Sequence, residues 1–365
     1  MTLPAIDNTT DFVAEPHLLV DKDGDKLCVV IKATFEHQDG PPRGVDGTFT
    51  LAPKARRRRV RAADVPWGKP EIASIRYPSD LCVHKPATDV IVVARAHAPG
   101  GERVRRFDCG VRLGKVFKVV RVTGPRFWAA DGDSLTEPLA FASLDLRYDY
   151  AFGGFDDSDP ERVVEDARNP VGRGIARDGA SLDAAPAPQL EDPMEPIERA
   201  SQRPKPASLG AIGRHYQPRR ARWGTYDAKW LEGRAPILPA DFDERANQAA
   251  TPELVASPHF TGGEEGALTN LVPGGGATPF VLPQIRLLVE VRVRGREPET
   301  FRPAIDTVIL DTLGPIEHRA LFEADPELPP PPRGPLTVEL VWRAAIVAPK
   351  RLSDATIVVR EERRR

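Results

Sequence analysis

The run "QIRLLVEVRVRG", residues 284–295, alternates without interruption, with Ile285, Leu287, Val289, Val291 and Val293 on one face and charged residues on much of the other. Side chains of an extended chain point alternately to opposite sides, so this periodicity marks a strand with one buried and one wet face. A helix is excluded here, and the apolar face requires a second layer to cover it. Strand-patterned runs recur at both ends of the chain. Towards the N-terminus they are "LCVVIKATFE", "DVIVVARAHA" and "KVFKVVRV", separated by turn signals such as "DKDGD" and "APGG". Towards the C-terminus they are "DTVILDT", "LTVELVWRAAI" and "ATIVVRE".

Between these ends, residues 151–283 carry sixteen prolines and little periodicity. Trp223, Trp230, Tyr216, Tyr226, Phe242 and Phe260 lie in this stretch and supply aromatic area that a disordered linker lacks, so ordered irregular loops on a β framework are expected. The best helix candidate is short, around "DFDERANQAA", opened by Asp241 or Asp243 and stopped before Pro252. Residues 178–206 read as extended and partly mobile, and the proline run at 327–335 as a surface bridge between two strands. The predicted fold is mainly β, with β-sandwich-like sheets from the N- and C-terminal parts, a long Pro/Gly-rich middle and few short helices. It divides into residues 1–150, a loop-rich middle 151–283 and a β-rich region 284–365, the outer two being candidates for one sheet system.

Composition narrows the function. The net charge of -2 over 365 residues provides no field to recruit nucleic acid or an anionic membrane. The basic run "KARRRRVR", residues 54–61, is expected as a solvated loop or edge strand whose alternate arginines face opposite ways, and a second basic tip stands at Arg363–Arg365. Cys28, Cys82 and Cys109 are too few and too scattered for a disulfide framework, and no secretory signal or long apolar run is present, so a cytoplasmic protein is expected. A metal site could be assembled from Cys82, His84, His97 and Cys109, but no second close pair completes it, and scattered cysteines are commonly core residues. Searches for G-x-S-x-G, H-E-x-x-H, C-x-x-C and P-loop patterns find nothing, so no catalytic or cofactor-binding residue is assigned.

Several clusters nonetheless ask for an account. "SDLCVHKPATDV" sets Asp80, Lys85 and Asp89 beside an apolar strand, where charges have to pair or reach water. In "ARNPVGRGIARDG", Asn169 precedes Pro170, and Arg173 sits between Gly172 and Gly174, both able to take positive φ. "WGTYDAKW" and "LPADFD" place Trp223, Tyr226 and Trp230 near Asp227 and Asp241. The expected role of these charges is to tie irregular loops to the sheets, with Arg173 bonding acidic side chains or loop carbonyls.

Taken in order, "SIRYPSDLCVHKPATDVIVVARAHAPGG", "GPRFW", "LRYDYAFGGFD", "ARNPVGRGIA", "RWGTYDAKWLEGRAPILPADFD" and "LTNLVPGG" resemble the motifs of a domain-of-unknown-function family encoded in bacterial type VI secretion gene clusters, with Tyr216 standing where tryptophan is expected. Members usually sit beside PAAR-like spike-tip proteins. The resemblance implies an adaptor or chaperone that binds a PAAR-like tip protein or effector and helps load it onto the trimeric valine-glycine-repeat spike. It implies no catalytic residue, cofactor or nucleic-acid partner; Asp80, Lys85, Asp89, Asn169, Arg173, Trp223, Tyr226, Trp230 and Asp241 are motif residues that serve structure or partner binding. The alternative from another class is a carbohydrate-active or other hydrolytic β-sandwich, with the Trp223 and Trp230 region as stacking platform and Asp227 or Asp241 as acid or base.

Overall fold

Strand β1 (Val13–Asp21) turns tightly into β2 (Gly24–His37), and five further strands complete one sheet: β3 (Phe49–Leu51), β4 (Thr88–Val93), β5 (Val255–Ala256), β6 (Ile305–Asp311) and β7 (Thr337–Val347). The spatial order is β5-β4-β6-β7-β2-β1, with β3 also on β2; β4 and β6 run parallel and the other pairs antiparallel. The two C-terminal strands β6 and β7 thus lie side by side between the N-terminal strands β4 and β2 in a single sheet. This computed structural model describes residues 3–38, 48–70, 72–131, 133–176, 182–314 and 336–362. The 327–335 proline run and the Arg363–Arg365 tip lie outside the described residues.

The two faces of this sheet differ in kind. Leu27, Val29, Ile31, Ala33 and Phe35 of β2 and Val338, Leu340, Trp342, Ala344 and Ile346 of β7 enter the main hydrophobic core. Their alternating neighbours Lys32, Thr34, Glu36, Thr337 and Glu339 point to the other side and are also buried. The fold is mainly β with few short helices. Two further sheets cover the apolar side. One, of five strands, runs Leu190–Glu191, Val116–Thr123, Arg106–Leu113, Glu265–Thr269, Ala277–Val281 in spatial order, and Phe280 meets Phe49 of β3 edge-on at 5.9 Å. The other runs Ala5–Asn8, Ala355–Glu361, Leu287–Val293, Glu299–Phe301. In its alternating strand Leu287, Val289, Val291 and Val293 are buried, while Glu290 on the wet side pairs with Arg292 at 2.6 Å and Arg360 at 2.8 Å.

Three sequence expectations need correction. The helix expected in "DFDERANQAA" is a single 3₁₀ turn, Glu244–Asn247, because the chain must then extend to bring the Ala249 amide to Asp89 at 2.8 Å. The α-helix is instead Ala228–Gly233, opened by Asp227. The segment around 178–206 is extended but, over residues 182–206, closely packed rather than detached: Ala187, Leu190 and Ile197 are buried, and Glu191 pairs with the buried Arg126 at 2.9 Å. Its polar composition hides this anchoring. Finally, "KARRRRVR" is a solvated loop only in part: after the turn Lys54–Arg56, Arg56, Arg58 and Arg61 reach acids of the central sheet while Lys54 and Arg59 stay exposed.

Candidate functional site

A lone charge in the middle of an apolar strand needs a counter-charge, since ionised groups are strongly disfavoured in a dry environment. Lys32 in β2 and Glu339 in β7 provide both signs on the same face, joined at 2.8 Å. The segment 54–89 lies over them and completes the set. Lys32 also reaches Asp80 at 2.6 Å, and Arg61 forks onto Glu339 with bonds of 2.7 and 2.6 Å. Asp80 further accepts the Arg61 amide at 2.8 Å, and its carbonyl accepts Arg343 at 2.7 Å. Arg343 itself pairs with Asp306. Next along the sheet, Lys85 donates to Asp89 at 2.7 Å and to Thr307 at 2.9 Å. Asp80, Lys85 and Asp89 are therefore members of one sealed polar layer.

The layer's electrostatics follow from this geometry. Burial alone would raise the Glu339 carboxyl, but Arg61 and Lys32 outweigh it and hold the group well below the ordinary carboxylate range. Asp311 lies nearby with the opposite balance: burial pushes its carboxyl up, despite a 2.6 Å bond from the Tyr77 hydroxyl and the nearby Arg76. Burial likewise pushes the Cys28 thiol up to about 12, and raises Cys82 and Cys109, so these cysteines are protonated near neutrality. Among the described residues, no group of three or more His, Cys, Asp or Glu is arranged to hold a metal ion.

From this layer a stack of arginines and rings leads to the second motif. Arg61 stands 4.2 Å from the Tyr77 ring centre; Arg76 lies between Tyr77 and Trp67, at 5.1 and 4.9 Å; Arg147 lies between Trp67 and Tyr150, 5.6 Å from each; Arg173 ends the series 4.8 Å from Tyr150. Arg173 also donates to the Asp149 carbonyl at 3.0 Å. Burial lowers its pKa against the pull of Tyr150 and Asp149. The bend around it is tightly specified. Buried Asn169 donates to the carbonyls of Tyr148 and Phe152 at 2.8 and 2.9 Å. Gly174 takes φ +96°, whereas Gly172 is needed for close approach: a Cβ there would lie 2.4 Å from the Asn169 amide nitrogen.

The third group lies in residues 212–249, which lap onto the polar layer through the Ala249 amide on Asp89 and the Asn247 side chain on the His84 carbonyl at 2.8 Å. Here aromatic residues form a braced platform. Trp223 meets Phe242 at 5.5 Å and Tyr226 meets Trp230 edge-on at 4.6 Å. The Trp230 indole donates to the Ile237 carbonyl at 2.8 Å, and its amide is capped by Asp227 at 2.9 Å. Asp241 accepts from the Thr225 amide at 3.0 Å and its hydroxyl at 2.8 Å, bonds that hold its carboxyl below the ordinary value. Asp227 and Asp241 thus serve as capping groups in this structure.

Two clefts open near these elements. One, of about 540 Å³, lies between β7, the Glu299–Phe301 strand and the 83–85 loop, and most of its polar lining is engaged elsewhere: Lys85 with Asp89, Arg343 with Asp306, His259 with the Lys85 carbonyl at 3.0 Å. The other, of about 510 Å³, is lined by Arg214, His215, Arg220, Trp223, Gly224 and Tyr226. Sequence reasoning singled out Trp223 and Tyr226 but not Arg214 or Arg220, which join them only through the fold. It also passed over Lys32, Arg61, Asp311, Glu339 and Arg343. For Lys32, Asp311 and Glu339 the signal was present as single charges inside "VVIKATF", "VILDT" and "VELVW".

This β framework, with its sealed charge layer, belongs to a bacterial protein family without assigned activity. The family model described as "Uncharacterized protein conserved in bacteria (DUF2169)" matches residues 22–320, and the chain is a member of that family. No curated protein and no solved structure matches the chain. No helix among the described residues is long and apolar enough to cross a membrane.

Proposed function

We propose that the protein is a non-catalytic adaptor or chaperone of bacterial type VI secretion, which binds a PAAR-like tip protein or effector in the cytoplasm and helps load it onto the spike. The observation that carries this reading is how the motif charges are spent. Asp80, Lys85 and Asp89 are consumed inside the polar layer, Asp227 and Asp241 cap loop and helix, and Arg173 is fixed on a ring and a carbonyl. Groups engaged in this way brace loops rather than turn over a substrate, and loops braced on a rigid sheet system make a specific binding surface. Exposed apolar side chains beside the aromatic platform, Tyr226 and Leu231, add to that surface.

The test is co-expression with each PAAR-like protein encoded in the neighbourhood of the gene. The adaptor reading predicts that at least one partner gains soluble yield and co-purifies. Failure of every such candidate to gain yield or co-purify contradicts it.

A further inference from the structure

We infer that the cleft lined by Arg214, His215, Arg220, Trp223 and Tyr226 receives an acidic segment of the partner protein; this rests on the adaptor reading above. The first argument is unspent cationic capacity. Several arginines elsewhere are closely matched: Arg56, Arg61, Arg126, Arg147 and Arg168 each lie within 2.9 Å of a carboxylate oxygen. At this cleft the pairing is loose. Arg220 is 4.0 Å from Glu165, and the Arg214 guanidinium lies 5.5 Å from the Trp223 ring, reaching, among the described residues, the Leu81 carbonyl at 3.5 Å. Both residues are exposed. A guanidinium held against an indole keeps its planar fork open to a carboxylate, the geometry it binds most specifically.

The second argument is a donor without an acceptor. Among the described residues the Trp223 indole nitrogen is one of eleven buried side-chain polar atoms without a hydrogen-bond partner, and of these it alone belongs to a residue lining this cleft. The third is preorganisation. Trp223 rests on Phe242 and Tyr226 on Trp230, while Asp241 and Asp227 pin the backbone on which they stand, so little order is lost on binding. A cleft of about 510 Å³ takes a few side chains of an extended segment rather than a folded face.

Rings and arginines also suit single-stranded nucleic acid. The surroundings favour a peptide. Glu165 stands 4.0 Å from Arg220 and Asp241 lies beside Gly224 of the lining, so a continuous phosphate backbone meets fixed acids here, whereas a single carboxylate can meet an arginine fork between them. Beyond the rim, Tyr226 at 49% and Leu231 at 66% exposure extend an apolar surface for the side chains of such a segment.

The experiment compares the full-length wild type with Arg214→Glu/Arg220→Glu. Both are tested for retention of the co-expressed PAAR-like partner and, by fluorescence anisotropy, for binding of a fluorescein-labelled peptide of alternating glutamate and leucine and of a labelled ten-residue oligothymidine. Thermal midpoints check that the variant folds, and Tyr226→Ala provides a second, uncharged lesion. We expect the wild type to bind the acidic peptide more weakly as salt rises, and the charge-reversed variant to lose at least about tenfold in affinity for peptide and partner at unchanged thermal midpoint. Equal retention of the partner by wild type and variant overturns the cleft and leaves the adaptor reading standing. Retention by neither overturns both. Oligothymidine binding as tight as peptide binding overturns the assignment to an acidic peptide.

Discussion

Glu339 shows how much a single side chain can carry here. It lies in β7, takes both donors of Arg61 and one from Lys32, and is fully buried. Glu339→Gln leaves two cations facing a neutral amide. Removing one partner of a buried charge set costs about 3–5 kcal/mol, and the lower end is expected because Asp80 still neutralises Lys32. The pH dependence has a definite sign. The carboxyl's folded pKa is held below its unfolded value, so its contribution is present above the ordinary carboxylate range and is lost as pH falls through that range towards the depressed folded value. Asp311, raised in the fold, acts in the opposite direction and gains stability as it protonates. Guanidinium midpoints measured from pH 7 down to pH 3 should therefore fall less steeply in Glu339→Gln than in wild type; parallel curves contradict the assignment. Arg173 carries less, because among the described residues its partners are a carbonyl and a ring. Arg173→Ala should cost about 2–4 kcal/mol in urea denaturation, the sum of a cation–π contact and one charge-assisted bond. Arg173→Lys should recover less than half of this, since it loses the planar stacking, and an unchanged midpoint for Arg173→Ala contradicts the structural role. The need of Asp80, Lys85 and Asp89 for partners was legible from charges set beside apolar runs. Lys85 and Asp89 answer each other four residues apart, but the partner of Asp80 was not legible, because Lys32 lies 48 residues away and only the register of β2 on β7 sets it beside Glu339.

Among the elements, strands were readable wherever alternation was strict, and Leu287–Val293 follows the sequence pattern residue by residue. Helices were not readable. Ala228–Gly233 has six residues, too few for a periodic face, and its clearest mark is the Asp227 cap. The segment 182–206 illustrates a different failure, since proline and charge suggest a linker while residues 187–191 and Ile197 are buried and a charge pair joins them. Glu191 joins Arg126 at 2.9 Å and also accepts the Ile197 amide at 2.9 Å. Glu191→Ala leaves Arg126 buried without its counter-charge and frees this stretch from the five-stranded sheet, for a cost of about 3 kcal/mol. Limited trypsin digestion should then cut after Arg199, which precedes Ala200, well before the rest of the chain. Unchanged cleavage kinetics would show that the segment is held by other means.

Across the whole molecule, the central sheet interleaves the two ends of the chain: β6 lies between β4 and β7, and β7 between β6 and β2. A fragment of residues 1–283 lacks β6 and β7, which exposes the apolar face of β2 and strands Lys32 without Glu339. It should be insoluble or unfold without cooperativity, and its co-expression with residues 284–365 should restore a soluble complex. A soluble 1–283 fragment with a sharp thermal transition contradicts this interdependence. The mainly β class could be read from the periodicity of the two ends, but the pairing between them could not, because matching one strand to another over such separations leaves no local mark. The cleft at Trp223 was half legible for the same reason: its aromatics are neighbours in sequence, whereas Arg214 is placed by the turn through Tyr216 and Arg219. The central claim, that these braced loops serve to hold another protein, is tested most directly by sedimentation velocity of the purified chain mixed at micromolar concentration with each PAAR-like protein encoded beside it. The account predicts that at least one mixture sediments as a single faster species of defined stoichiometry. Separate boundaries for every mixture, at the positions of the free components, would contradict it.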